Sequence, residues 1–225
     1  MSTADAPERE SARRRVPAAQ RREELITAAV HEFAHGGLHG TPVAEIARRV
    51  GVAQPYVFTL FANKRELFLA ALERGFDRVA VTFKDAAADF AAGRADPDCE
   101  DALQAMGRAY RQLLIDDRDY LMLQHQSYAA CDDEIVRTRV RRRYAELVAL
   151  AGELSGASEE QLNDFFSHGM ALNVAAALGV SDLSAGCDWV RAASSPQEEL
   201  GYDQTDAHVR PLSNAADSQA AQAAE

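Results

Sequence analysis

TPVAEIARRVGVAQPYVFTLFANKRE, residues 41–66, decides how this chain is read. Ile46, Ala47 and Val50 form one apolar face of a short helix. Thr41 is placed to cap that helix, and Pro42 suits its first position, where a missing N–H costs nothing. Gly51 ends it, because the sharp turn that follows asks for positive φ. Val52, Val57 and Leu60 supply the apolar side of a second helix. Two helices that cross steeply through so short a turn need a small residue at their closest approach, Ala47, and a packed aliphatic on the second helix, Val57. The layout predicts a helix-turn-helix. Its second helix turns Gln54, Tyr56 and Thr59 outward, toward the base edges and phosphates of a DNA major groove.

A third helix is signposted directly behind. Asn63 is a good N-cap with Glu66 three residues on, and Leu67, Phe68, Ala71, Leu72, Phe76, Val79 and Phe83 recur at helical spacing after it. Upstream, Leu25-Ile26, Ala29 and Phe33 mark the apolar face of a first helix that ends at Gly36-Gly37. Together with Thr41, Glu45-Ile46-Ala47, Gly51-Val52, Tyr56, Phe61, Lys64 and Leu67, this pattern over residues 20–73 resembles the N-terminal domain of the TetR family of bacterial transcriptional regulators. One departure is Ala53, which stands where the family usually places a capping Ser or Thr. The loss of one N-cap hydrogen bond is worth about 1 kcal/mol.

The 225 residues are 47% hydrophobic, enough for one or two packed domains, and no stretch approaches a transmembrane span. The N-terminus lacks a signal-peptide pattern. Cys99, Cys131 and Cys187 are dispersed and odd in number, as reduced thiols of a cytoplasmic protein would be. A net charge of −11 argues against DNA binding until the chain is divided. Residues 1–65 hold 10 Lys and Arg against 7 Asp and Glu, and residues 66–225 hold 14 against 28. The basic segment can approach DNA while the acidic remainder stays away. Arg13, Arg14, Arg15, Arg21, Arg22, Arg48, Arg49, Lys64 and Arg65 are the candidates for phosphate contacts.

Beyond a break at Gly93 to Pro97 the pattern is helical over 99–116, 118–130, 132–155 and 158–179, with a short helix at 183–193. Asp132, Asp133 and Glu134 suit the positive end of the 132–155 helix, and Ser158 to Gln161 resembles a capping box. Phe83, Met106, Tyr110, Met122, His125, Gln126 and Arg143 are the candidates for a pocket among the middle helices. Arg143 falls on the apolar face of the 132–155 helix. A buried arginine needs a carboxylate, supplied either by the protein or by an acidic ligand. The helix over 158–179 has a broad apolar arc broken by small residues, as expected of one shared between a core and a partner.

The fold expected is all-α. A basic arm without fixed structure over residues 1–16 precedes a three-helix DNA-binding domain over 17–63. A helical effector-binding and dimerisation domain follows over 64–193, and a polar tail over 194–225. The resemblance implies a cytoplasmic homodimer that binds a palindromic operator in double-stranded DNA and represses until an unidentified small-molecule effector releases it. Gln54, Pro55, Tyr56 and Thr59 read bases in that scheme, and Thr41, Tyr56, Phe61 and Lys64 position the DNA backbone. In the family the late helices pair with their copies, which assigns Phe165, Phe166, Gly169, Met170, Asn173 and Ala176 to the dimer interface. No cofactor, catalytic residue, metal or membrane partner is expected. Two other readings stay open. One is a helical ligand-binding or interaction protein without DNA function. The other is a zinc hydrolase, because His31-Glu32-x-x-His35 matches H-E-x-x-H. The second is disfavoured because the wheel turns both histidines away from the apolar face.

Overall fold

A computed structural model describes residues 17–180, which form eight helices and, among the described residues, no strand. They are α1 (Ala18–Gly40), α2 (Val43–Val50), α3 (Gln54–Leu60), α4 (Lys64–Ala91), α5 (Ala102–Asp116), α6 (Arg118–Ala129), α7 (Glu134–Ser155) and α8 (Glu159–Ala177). The expected basic arm, the 183–193 helix and the polar tail lie outside the described residues.

Local chemistry sets most of the helix ends. The Asn63, Asp101, Asp117 and Asp133 side chains accept from backbone N–H groups of the first turns of α4, α5, α6 and α7. Ser158 and Gln161 complete a reciprocal capping box on α8. At α4 the box is displaced by one residue, since Glu66 accepts from the Ala62 N–H rather than from Asn63. α3 begins at Ala53 without a side-chain cap.

Two expectations about the first turn region need correction. Thr41 does not cap α2, whose N-cap position is Pro42 with no side-chain bond. The Thr41 side chain is instead 2% exposed and its hydroxyl donates to the Glu32 carbonyl at 3.0 Å. The apolar packing of α1 against α2 draws the residue inward. Helical geometry also resumes beyond Gly37, the one non-helical residue inside α1, with φ 62° and ψ −175°.

The core begins where α1 crosses α4, with Phe33 and Phe68 edge to face at 5.0 Å between ring centroids. Ile46, Val57, Phe61 and Leu67 close it from the helix-turn-helix side. The same cluster continues into Leu123 of α6 and Val136 and Val140 of α7. The boundary at 63/64 therefore marks a change of role with no break in packing. α1 lies along α6, and α4 runs between α5 and α7.

Gly37 and Gly51 both have positive φ. A Cβ on Gly51 meets nothing within 4 Å, whereas one on Gly37 runs into the Gln126 amide oxygen of α6. Gly37 also occupies a backbone region that only glycine adopts readily, at a cost of roughly 1–3 kcal/mol for other residues. Gly37→Ala should therefore lower unfolding free energy clearly more than Gly51→Ala, whose strain alone is about 1–2 kcal/mol. Urea denaturation of the two variants side by side checks this; equal losses would mean that the Gly37–Gln126 approach is not tight.

Candidate nucleic-acid interface and ligand cavity

α3 is anchored by Val57, which is buried, and presents Gln54, Pro55 and Thr59 to solvent with Tyr56 half-buried beside them. The Thr59 hydroxyl rests on the Tyr56 carbonyl at 2.7 Å. Phe58 is 43% exposed on the same side as Gln54 and Pro55 and was missed in the sequence reading. Its position four residues after Gln54 was the available signal, because it falls on the outward stripe rather than behind Val57. An exposed phenyl there suits contact with a thymine methyl.

Two assigned DNA contacts are corrected by burial. Thr41 is engaged with Glu32, as described above. Phe61 is 1% exposed, inside the core, and the Arg22 guanidinium lies 4.8 Å from its ring centroid. Lys64 lies at the start of α4 with its ammonium donating to the His39 carbonyl at 3.0 Å, and partial burial lowers its pKa. Other basic groups are paired within the chain. Arg48 meets Glu45 at 2.6 Å, Arg49 meets Glu32 at 2.7 Å, and Arg65 reaches Asp133 at the start of α7 at 2.9 Å. Arg65 holds the Asp133 carboxyl below its usual range, with help from the first backbone N–H groups of α7. Arg13, Arg14 and Arg15 lie outside the described residues.

The H-E-x-x-H stretch is also placed differently from the wheel. His31 is half-buried against α6, with Nδ1 at 2.6 Å from Asp119, while His35 Nδ1 contacts the His31 carbonyl at 2.8 Å. The ligand atoms of His31, His35 and Asp119 lie within 4.8 Å of one another. Glu32, which a hydrolase would need as general base, is turned away to Arg49. The arrangement ties α1 to α6 and offers no hydrolytic centre.

A cavity of about 490 Å³ opens among α4, α5, α7 and α8. Phe83, Tyr144, Phe165 and Phe166 build one aromatic wall, with neighbouring centroids 5.3–5.7 Å apart. Deeper in, the Tyr110 hydroxyl donates to Asn173 Oδ1 at 2.6 Å and lies 3.1 Å from Gln124 Oε1, while Gln124 Nε2 donates to the Tyr128 hydroxyl at 2.8 Å. Burial pushes the Tyr110 phenol up to about 12 and those of Tyr120 and Tyr128 also well up, so all three are neutral donors at ordinary pH.

Of the residues assigned to the pocket from sequence, Phe83 and Tyr110 line this cavity. Met106 is fully buried core, and Met122 packs against the N-terminal cluster. His125 Nε2 is 3.2 Å from the Asn173 carbonyl, on the far side of that residue, and Gln126 sits against Gly37. Arg143 meets Glu73 at 3.0 Å, Asp77 at 2.5 Å and Glu146 at 2.8 Å, so its partners are protein carboxylates. The residues assigned to the dimer interface fall on more than one side of α8. Phe165, Phe166, Gly169 and Asn173 face the cavity of their own chain. Met170 touches the cavity rim yet remains exposed, and Ala176 is half-buried. The outward stripe of α8 is Met170, Val174 and, just past its end, Leu178, spaced four residues apart and exposed. The sequence reading named only the first of these.

Residues 25–71 match a family model described as bacterial regulatory proteins of the tetR family. The HTH-type transcriptional activator FasR of Mycolicibacterium smegmatis is 40% identical over 65 residues, covering 29% of this chain and 30% of that protein. The matched region thus spans less than a third of that relative's length. A TetR-like transcriptional regulator from Rhodococcus sp. RHA1 aligns over 80% of this chain and 100% of its own, with TM-score 0.57 at 22% identity. A protein described as a transcriptional regulator from Pseudomonas aeruginosa PAO1 aligns over 80% and 92%, with TM-score 0.57 at 18% identity. The two structures share the fold.

Tyr110 gives the cavity a pH signature. The unfolded phenol ionises near 10.0, and the folded one holds its proton to about 12. The folded state therefore binds more protons between these values, and its stability is full below pH 10 and falls as pH rises toward 12. Urea unfolding below and above pH 10 should show the loss, and Tyr110→Phe should flatten part of the slope. An unchanged slope in that variant would place the phenol in water.

Proposed function

We propose that this chain, whose residues 25–71 match the tetR family model, is a TetR-type regulator: a cytoplasmic, homodimeric repressor that leaves its operator when a small molecule fills the cavity. The coarse part of this reading, a transcriptional regulator with a helix-turn-helix DNA-binding domain, is the family's own activity. The finer parts rest on one observation: α4 belongs to both sites. Its capped start carries Lys64 and Arg65 beside the helix-turn-helix, and Phe76, Val79 and Phe83 further along the same helix line the cavity.

The mechanism follows from that sharing. At 1.5 Å per residue α4 is a rod of about 42 Å. A ligand seated against Phe76, Val79 and Phe83 competes with the present packing of α4. It shifts the population toward conformers in which the rod, and α3 with it, has moved. Arg65–Asp133 and Arg143–Glu73 are cross-helix links of α4 that such a shift must rearrange. Two recognition helices on a palindrome must sit about 34–36 Å apart or a multiple of this, so a small displacement at each start of α4 is enough to lose the match. A single α3 covers only a half-site, which makes a dimer part of the mechanism. The exposed Met170, Val174 and Leu178 stripe supports α8 as the surface that pairs. The bases are read by Gln54, Pro55, Tyr56, Phe58 and Thr59, and Lys64 contacts the backbone.

Selection from a random duplex pool should recover an inverted repeat, and recovery of no common sequence would refute the reading. Tyr56→Ala and Thr59→Ala should each weaken binding to the selected site by about 1–3 kcal/mol with unchanged circular dichroism. Val174→Glu with Leu178→Glu should yield a folded monomer that no longer retards the site, measured by sedimentation and gel shift. In transcription assays on the selected site the protein should lower output; a rise would reverse the sign of regulation and leave the DNA contacts standing.

A further inference from the structure

We infer that the cavity takes an organic anion, an apolar or aromatic body whose acidic head is bound by Arg111. The inference rests on reading the cavity as the effector site and adds the chemical class of the effector.

Among the charged and amide side chains of the wall, the partner of the head group follows by subtraction. Tyr110, Asn173 and Gln124 satisfy one another, as described. The Gln104 amide oxygen accepts from the Glu100 N–H at 3.0 Å, and Gln161 from the Ser158 N–H at 2.9 Å. Asp101 caps α5 by accepting from the Gln104 N–H at 2.8 Å. Arg108 pairs with Asp96 outside the cavity. Asp164 and His168 stand exposed at the rim. Arg111 is different. Its Nε is buried without a hydrogen-bond partner, as is that of Arg143, but among the described residues it forms no salt bridge, whereas Arg143 has carboxylates beside it.

Both arginines are partly buried on helices that border the cavity, and Arg143 has three carboxylates around it. Arg111 has an aromatic cavity. Gln104, Gly107 and Arg111 share one stripe of α5 at spacings of three and four. The bare Gly107 sits against Phe165, where an added Cβ would be 3.4 Å from the ring, so the backbone of α5 comes close to the cavity wall one turn before the guanidinium. A carboxylate or sulfonate offers this fork the planar, charge-assisted pairing it lacks. In an apolar setting that pairing is stronger than in water. The rest of such a ligand would stack on Phe83, Phe165 and Phe166.

A matched pair of fluorescent probes separates the charge from the cavity. 8-Anilinonaphthalene-1-sulfonate and N-phenyl-1-naphthylamine differ only in the sulfonate. With the full-length protein, Arg111→Gln should weaken the sulfonate about ten-fold, as expected for loss of a hydrogen bond to a charged group. The neutral amine should stay within about two-fold, and Arg111→Lys should fall between. Dodecanoate should displace the neutral amine from the wild type at far lower concentration than dodecanol, and Arg111→Gln should erase that difference. Val79→Trp, which fills the cavity, should abolish uptake of both probes. Equal effects of Arg111→Gln on both probes, or equal displacement by acid and alcohol, would overturn the anion assignment while leaving the effector cavity in place. Undiminished uptake of both probes by a folded Val79→Trp variant would overturn the cavity reading as well.

Discussion

The packing of Phe33 on Phe68 is the contact from which the rest of this structure follows. It fixes α1 across the first half of α4 and so decides where α2 and α3 can stand, because Ile46 and Val57 are buried against the same core. Removing a ring of this kind from a core costs about 3–5 kcal/mol. Such a loss would not be confined to one end of the molecule, because the cluster extends without a break into α6 and α7. A DNA-reading unit and a cavity-bearing body that share a core cannot move as independent domains. In the proposed mechanism one packed arrangement gives way to another, and that is how a cavity remote from α3 would influence it.

The ion pairs between helices have a second role in that arrangement. Arg65–Asp133, Arg74–Glu23, Arg78–Asp117 and Arg139–Glu73 all link α4 to a neighbour or to a helix cap. Each is at least partly exposed, so each contributes little to stability after solvent screening. Their geometric requirement is stricter than their energy, because a pair made in one register of α4 is unmade in another. Weak links that discriminate between registers suit a switch better than strong ones, which would hold a single state against any ligand.

The helices, their caps and the helix-turn-helix were legible in the sequence because each depends on residues within one or two turns. Asn63 and Ser158 cap where the spacing placed them, and Gly51 adopts the predicted left-handed turn. Thr41 and Phe61 were misread for one reason. Both lie at helix ends, where an amphipathic wheel no longer tells inside from outside, and only the crossing of α1 with α2 and α4 decides. The pocket was the least legible part. Arg143 was rightly placed on a buried face, but nothing local reveals that Glu73 and Asp77, two positions on α4 one turn apart, wait opposite it. Arg111 gave no such signal, since its isolation is a property of what the other helices fail to supply.

Charge compensation also bears on how α3 must work. Arg48, Arg49 and Arg65 each have a carboxylate within 3 Å, and Arg22 lies against the Phe61 ring. Among the described residues, cations matched in this way would release few counterions on meeting DNA, which keeps their own share of sequence-independent attraction to phosphate small. The acidic body opposes even that. In the proposed reading discrimination then falls to the neutral side chains of α3, whose contacts with base edges and methyl groups would depend on fit more than on charge. In the proposed ligand-triggered release, a shift of α4 would abolish the geometric part of the affinity, which on this division of roles is the larger part.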